Sequence, residues 1–150
     1  MQYQAIVFDM DGVIFDTERL VIEFWKEVAK KHNIPNVEHT CIQCLGTNRV
    51  RTREIFLENY GADFPFDPYR AEVTELFNTH YKGVPLPTKP GIRELLNYLQ
   101  EQDIKVGLAS STAQHLVRDE IGTAGLLPYF QTLVCGDMVE HSKPAPDIFL

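Results

Sequence analysis

Two carboxylates, Asp9 and Asp11, stand two residues apart, directly after the short apolar run Tyr3–Phe8 and just before Gly12. Acids this close repel each other and favour a bound divalent cation or a shared proton. The same four residues, Asp9-Met10-Asp11-Gly12, would also suit a turn or a helix cap. Ser110 ends a second apolar run, Lys105–Ser110. Its hydroxyl can donate to a ligand oxygen without adding charge, or it can cap the helix that follows. Ser111 and Thr112 could do that capping equally well, which would leave Ser110 free for a ligand. Lys143 precedes Pro144-Ala145-Pro146-Asp147, and an ammonium there could neutralise an anionic group. Taken alone, it would read as a solvated surface lysine.

These residues need elements to hold them. Residues 3–8, 105–110 and 131–136 share one grammar, a short continuous apolar run, and the first reads as a buried central strand. Between the second and third lies a helical stretch, Ala113–Ile121, closed by Gly122 and Gly125. Pro90 and Gly91 open a strongly periodic helix with Ile92, Leu95, Leu96 and Leu99 as its apolar face. Strand, helix, strand, helix, strand at these lengths implies a parallel sheet with covering helices. Ligands bind such sheets beyond the carboxyl ends of the strands, where Asp9, Asp11 and Ser110 fall.

Residues 15–87 behave differently, with helical patterns at Thr17–His32, Arg49–Tyr60 and Pro68–Tyr81. In the first, Leu20, Val21, Phe24, Trp25, Val28 and Ala29 form one broad apolar face, with Asp16 or Thr17 as N-cap. Val84-Pro85-Leu86-Pro87 reads as a stiff return linker. Cys41 and Cys44 make a C-x-x-C near His39 within a helical stretch. With three cysteines in all and no second paired motif, they are expected to be ordinary half-buried thiols.

The longer string Asp9-Met10-Asp11-Gly12-Val13-Ile14-Phe15-Asp16-Thr17-Glu18 resembles the first signature of the haloacid-dehalogenase superfamily. Ser110 and the Lys143–Asp147 string resemble its second and third, in the family's order. The resemblance spans essentially the whole chain. It implies an α/β fold: a Rossmann-like parallel-sheet core, residues 1–14 and 88–150, with an inserted all-helical cap, 15–87. It implies that Asp9 attacks phosphorus and that Asp11 acts as acid and base, which requires a raised pKa. Ser110 and Lys143 would hold the phosphate, and Mg²⁺ would be bound by the Asp9 carboxylate and the Asp11 backbone carbonyl. Glu18, Arg49 and Lys82 are the cap residues that the resemblance marks for substrate, although Glu18 would also complement a helix dipole. No histidine falls within a core signature.

The expected activity is Mg²⁺-dependent hydrolysis of a small phosphorylated metabolite, such as a sugar phosphate, through an aspartyl-phosphate. A β-phosphoglucomutase-type phosphotransferase shares every core residue, but the mutases resembled here carry histidine at the position of Val21. A receiver domain would place its phosphoacceptor after the third strand and has no room for the helical insert. The family's fourth signature, an acidic pair, is absent before Leu150, so the core is expected to be C-terminally truncated. A piece ending there is expected to bind Mg²⁺ weakly and turn over at background rates, and a non-catalytic binding module is the remaining alternative.

Fourteen basic against 21 acidic residues give a net charge of −7, which argues against nucleic acid or anionic membrane as partners. The N-terminus shows no basic region followed by a long apolar run, and no stretch approaches the roughly 20 apolar residues of a membrane span. A cytoplasmic monomer is the expectation.

Overall fold

The computed structural model describes residues 3–47, 49–141 and 143–150. The chain divides into two compact units, Met1–Thr17 with Gly83–Leu150, and Glu18–Lys82. No helix among the described residues is long and apolar enough to cross a membrane.

The first unit is built on a parallel sheet in the order β1-β2-β3: β1 (Ala5–Phe8), β2 (Lys105–Ser110) and β3 (Thr132–Cys135). Phe8 pairs with Leu108, and Ser110 with Cys135, so the carboxyl ends of all three strands lie at one edge. Helix α5 (Ile92–Glu101) leads into β2, and α6 (Gln114–Thr123) links β2 to β3. Leu96, Leu108, Val117, Ile121 and Leu126 are buried around them.

Two expectations need correction here. Leu95 is 41% exposed, while Ile92, Leu96 and Leu99 are buried. At about 100° per residue those three fall within one narrow stripe, and Leu95 lies on its flank. The first strand is not buried on both faces. Among the described residues it pairs only with β2, and Val7 is 55% exposed whereas Phe8 is buried. Alternation puts Val7 on the face opposite Phe8, beside Gly107, which offers no side chain to cover it.

After β1 the chain makes a tight loop. The Met10 carbonyl accepts hydrogen bonds from the amides of Val13, Ile14 and Phe15, and Gly12 takes a positive φ of 73° that permits the reversal. Met10, Ile14 and Phe15 are fully buried and anchor the loop. Residues 14–16 then pair with 87–89: the Asp16 amide donates to Pro87, the Lys89 amide donates to Ile14, and Lys89 Nζ lies 2.6 Å from Asp16 Oδ1. The two strands of chain that leave and rejoin this unit are thus held together. Of the expected linker Val84–Pro87, Pro87 takes part in this pairing, through its carbonyl.

The second unit is all helical: α1 (Thr17–His32, its first residue in the other unit), α2 (Val37–Gln43), α3 (Arg49–Tyr60) and α4 (Phe66–Tyr81). The last starts at Phe66, two residues before the expected Pro68; a proline in the first turn loses no helical hydrogen bond. Its core is aromatic, with Trp25 packed on Phe56 and Phe66 at ring separations of 4.4 and 5.9 Å. Cys41 is buried and Cys44 half-buried, with Cys44 Sγ donating to the Thr40 carbonyl. Burial pushes the Cys41 thiol up to about 12 and raises Cys44 as well, so neither has the thiolate character of a redox pair.

Candidate active site

Asp9 follows β1 directly. Its Oδ1 accepts the Met10 amide at 2.8 Å and lies 2.9 Å from Lys143 Nζ. The ammonium also donates to the Ala109 carbonyl at 2.8 Å, at the end of β2, so one lysine ties two strand ends together. Both partners of the ion pair keep partial access to solvent, 25% for Lys143 and 45% for Asp9. Lys143 precedes a cis-proline, Pro144, and the return of this loop is closed by Asp147, whose Oδ2 accepts from the His141 amide and meets His141 Nδ1 at 2.9 Å.

Asp11 is held differently. Thr17 Oγ1 donates to Asp11 Oδ1 at 3.1 Å, and Thr112 Oγ1 donates to Asp11 Oδ2 at 3.0 Å. Thr17 also accepts the Gly12 amide, which commits its own proton to Asp11. The hydroxyl at the head of α1 thus faces the β1 loop. Neither threonine was marked as a site residue by the sequence. Both types read as caps, and the only available signal for Thr112 was its place two residues beyond the strand-end Ser110.

Ser110 is completely buried and its Oγ accepts the Thr112 amide at 3.2 Å, which leaves its proton free to donate. The expectation that Ser111 or Thr112 caps the next helix needs correction. Ala113 is the N-cap residue and makes no side-chain bond, while the Gln114 amide donates to Asp137 Oδ1, 23 residues away, at 2.9 Å. Capping by a distant acid released the hydroxyls of 110–112 for other work.

In the first unit Asp9 is therefore joined to Lys143, and Asp11 is joined through Thr112 to Ser110, in two separate hydrogen-bonded groups. Glu18 is exposed in the first turn of α1. Arg49 and Lys82 line one cleft of the helical unit, with a volume of about 600 Å³. Asn48, which precedes Arg49, lies outside the described residues.

Gly136 sets the tolerance of this arrangement. Its amide donates to the Thr112 carbonyl, and a Cβ added there would sit 2.2 Å from the Ser111 carbonyl oxygen. Backbone cannot yield as a flexible side chain does, so the turn carrying Ser110 and Thr112 would move. Gly136→Ala is expected to cost about 1–3 kcal/mol of stability by overpacking, measured by thermal unfolding of the intact protein. An unaltered melting point would show that the turn yields freely.

Glu120, half-buried on α6, is the titratable group most altered near the site. Burial first, then the charges of Asp11 and Asp119, push it up to about 7. A carboxyl raised in the folded state is protonated there while its unfolded counterpart, above about 4.5, is ionised. The fold therefore loses stability as pH rises from about 4.5 to about 7, and the loss persists above that. Glu120→Gln is expected to flatten that decline and to melt higher than the parent at pH 8. Parallel pH–melting curves for the two proteins would refute the assignment.

Among the described residues, no three His, Cys, Asp or Glu side chains converge as a metal site. The donors at hand are Asp9 Oδ2, which takes no hydrogen bond from a described residue, and the Asp11 backbone carbonyl, which takes none either.

The chain is 31% identical over 147 residues to the phosphorylated carbohydrates phosphatase of Thermotoga maritima, covering 98% of this chain and 68% of that protein. It is 33% identical over 157 residues to the β-phosphoglucomutase of Bacillus subtilis, covering 98% and 67%. A crystal structure of a candidate β-phosphoglucomutase from Thermotoga maritima superposes with a TM-score of 0.72 at 31% identity, over 97% of this chain and 67% of that one. The chain thus spans about two-thirds of the length of these relatives. The model of the haloacid dehalogenase-like hydrolases matches residues 6–150, and the chain belongs to that family.

Proposed function

We propose that the intact protein hydrolyses small phosphorylated metabolites, sugar phosphates among them, through an aspartyl-phosphate formed on Asp9. The observation that carries this reading is the 2.9 Å pairing of Asp9 with Lys143 at the carboxyl ends of parallel strands. A carboxylate nucleophile must approach a phosphate dianion, and the ammonium between them offsets that repulsion. The Ser110 proton is free for an equatorial oxygen. Asp9 attacks phosphorus, the P–O ester bond breaks, and Asp11 gives the leaving oxygen its proton. Asp11 then takes a proton from water, which attacks phosphorus, frees Asp9 and releases phosphate. The two threonines hold the Asp11 carboxylate in one orientation for both transfers.

Mg²⁺ fits the donors present, since Asp9 Oδ2 and the Asp11 carbonyl are both hard oxygens that take no hydrogen bond from the described residues. Bound there, it would supply further neutralisation of the phosphoryl oxygens. The likeness to a carbohydrate phosphatase supports a sugar phosphate as substrate. A mutase reading draws support from the likeness to the Bacillus subtilis enzyme. Against it stands Val21, which has no ionisable group where the mutases carry histidine.

The test is Mg²⁺-dependent phosphate release by the intact protein from a panel of sugar phosphates. No release above the buffer rate from any of them, or isomerisation of glucose 1-phosphate faster than its hydrolysis, would sink the proposal. Glu18, Arg49 and Lys82 are proposed to bind parts of the substrate remote from phosphorus. Arg49→Ala is then expected to raise KM about tenfold with kcat little changed, because such contacts act equally in the ground and transition states. A collapse of kcat alone would contradict the assignment.

A further inference from the structure

Two hydroxyls from different elements grip the Asp11 carboxylate. Thr17 Oγ1 donates to Oδ1 at 3.1 Å from six residues away, and Thr112 Oγ1 donates to Oδ2 at 3.0 Å from 101 residues away. A single donor would let the carboxylate swing about its Cβ–Cγ bond, whereas one donor on each oxygen fixes its plane. Thr17 is tied to this loop locally, because it also accepts the Gly12 amide. Thr112 has no such local reason to face Asp11.

Thr112 lies in the turn between β2 and α6, where its backbone is held on both sides. Its amide donates to Ser110 Oγ at 3.2 Å, and its carbonyl accepts the Gly136 amide at 3.0 Å. Neither bond directs the hydroxyl. A serine or threonine hydroxyl commonly accepts the amide two residues on, as Ser110 does with Thr112. For Thr112 that amide belongs to Gln114, the first residue of α6, and the first amides of a helix lack helical acceptors. Here the Gln114 amide goes to Asp137 Oδ1 at 2.9 Å instead. A carboxylate is the stronger acceptor, and its charge is favoured at a helix N-terminus. With that amide taken, the Thr112 hydroxyl stays on Asp11.

We propose that Thr112 is a positioning residue for Asp11, and that the Asp137 cap on α6 keeps its hydroxyl there. The inference rests on the reading of Asp11 as the acid that protonates the leaving oxygen while the P–O ester bond breaks. A carboxyl group free to turn spends less time with its proton aimed at that oxygen, so the cost falls on bond cleavage.

The experiment compares kcat/KM of the intact protein and its variants on two esters. One is the sugar phosphate that the parent cleaves fastest, whose alkoxide must be protonated as it leaves. The other is 4-nitrophenyl phosphate, whose phenolate leaves without a proton. Thr112→Val removes the hydroxyl at nearly constant volume. It is expected to lower kcat/KM about tenfold or more on the sugar phosphate and no more than about threefold on the aryl ester. A turn merely displaced would misplace Ser110 and lower both equally. Thr112→Ser restores the donor and should stay within about threefold of the parent on both esters. Asp137→Ala is expected to show the same selective loss in smaller degree, about fivefold on the sugar phosphate alone. Asp137→Asn keeps an oxygen for the Gln114 amide and should recover most of it. Thermal unfolding establishes that each variant is folded, and the Asp137 pair carries the test if Thr112→Val is not. Equal losses on both esters, or no loss in either Thr112→Val or Asp137→Ala, overturn the proposal while leaving hydrolysis at Asp9 standing. A selective loss in Thr112→Val without one in Asp137→Ala overturns the role of the cap. A parent inactive on both esters sinks the hydrolysis itself, and this inference with it.

Discussion

Asp9→Asn in the intact protein is expected to reduce phosphate release below about 1% of the parent, summed over several sugar phosphates. The substitution is nearly isosteric. The amide oxygen can still accept from the Met10 amide and from Lys143, the two contacts that the carboxylate Oδ1 makes now. What disappears is the anionic oxygen proposed to attack phosphorus, together with the charge that a cation at Asp9 Oδ2 would require. The fold should barely register the change, because the pair with Lys143 is part-exposed and such pairs contribute about 0–1 kcal/mol. Melting within a few degrees of the parent, alongside lost turnover, is therefore the expected signature. Activity above that threshold would remove Asp9 from the nucleophile role, whatever the melting point.

The parts of this molecule legible in its sequence are those set by local rules. Three apolar runs of similar length predict three parallel strands, and the strand-end rule then places Asp9, Asp11 and Ser110 at one edge. Lys143 was readable through a resemblance, since a lone lysine after a loop has no distinguishing pattern. What stayed hidden depends on contacts between distant residues. Asp137 caps α6 from 23 residues away, and only that substitution of one cap for another explains why Thr112 turns to Asp11. Arg70 looks like any solvated helical arginine until α3 and α4 pack and leave it half-buried, with Thr74 rather than a carboxylate as its hydrogen-bond partner among the described residues. Leu95 and Val7 were placed in the core because apolar type alone does not tell the centre of a stripe from its flank, or a covered face from an open one.

Lys143→Met separates these two levels of organisation, because the lysine serves both the strand ends and the proposed chemistry. Its ammonium meets Asp9 Oδ1 at 2.9 Å and the Ala109 carbonyl at 2.8 Å, and it lies 5.9 Å from the centre of the Phe149 ring. Methionine keeps an unbranched stem of similar reach, so the packing beside Phe149 survives while the charge is lost. The Ala109 carbonyl loses one donor, worth about 1 kcal/mol, and the part-exposed ion pair adds little more. The expected drop in stability is therefore small, about 1–2 kcal/mol, or a few degrees in melting point. The rate should fall far more. In the proposed reaction Asp9 would then meet a phosphate dianion without compensation, and the charge developing on the phosphoryl oxygens would lose one fixed cation. Removing one such preorganised group commonly costs 10²–10³ in kcat, and a decrease of about that size is expected here. Lys143→Arg supplies the control: it keeps the charge on a wider head that does not fit the same two acceptors, and should recover only part of the rate. If methionine lowered the rate no more than tenfold while melting fell by ten degrees or more, Lys143 would be a strand-end tie, and the phosphate would have to find its cation elsewhere.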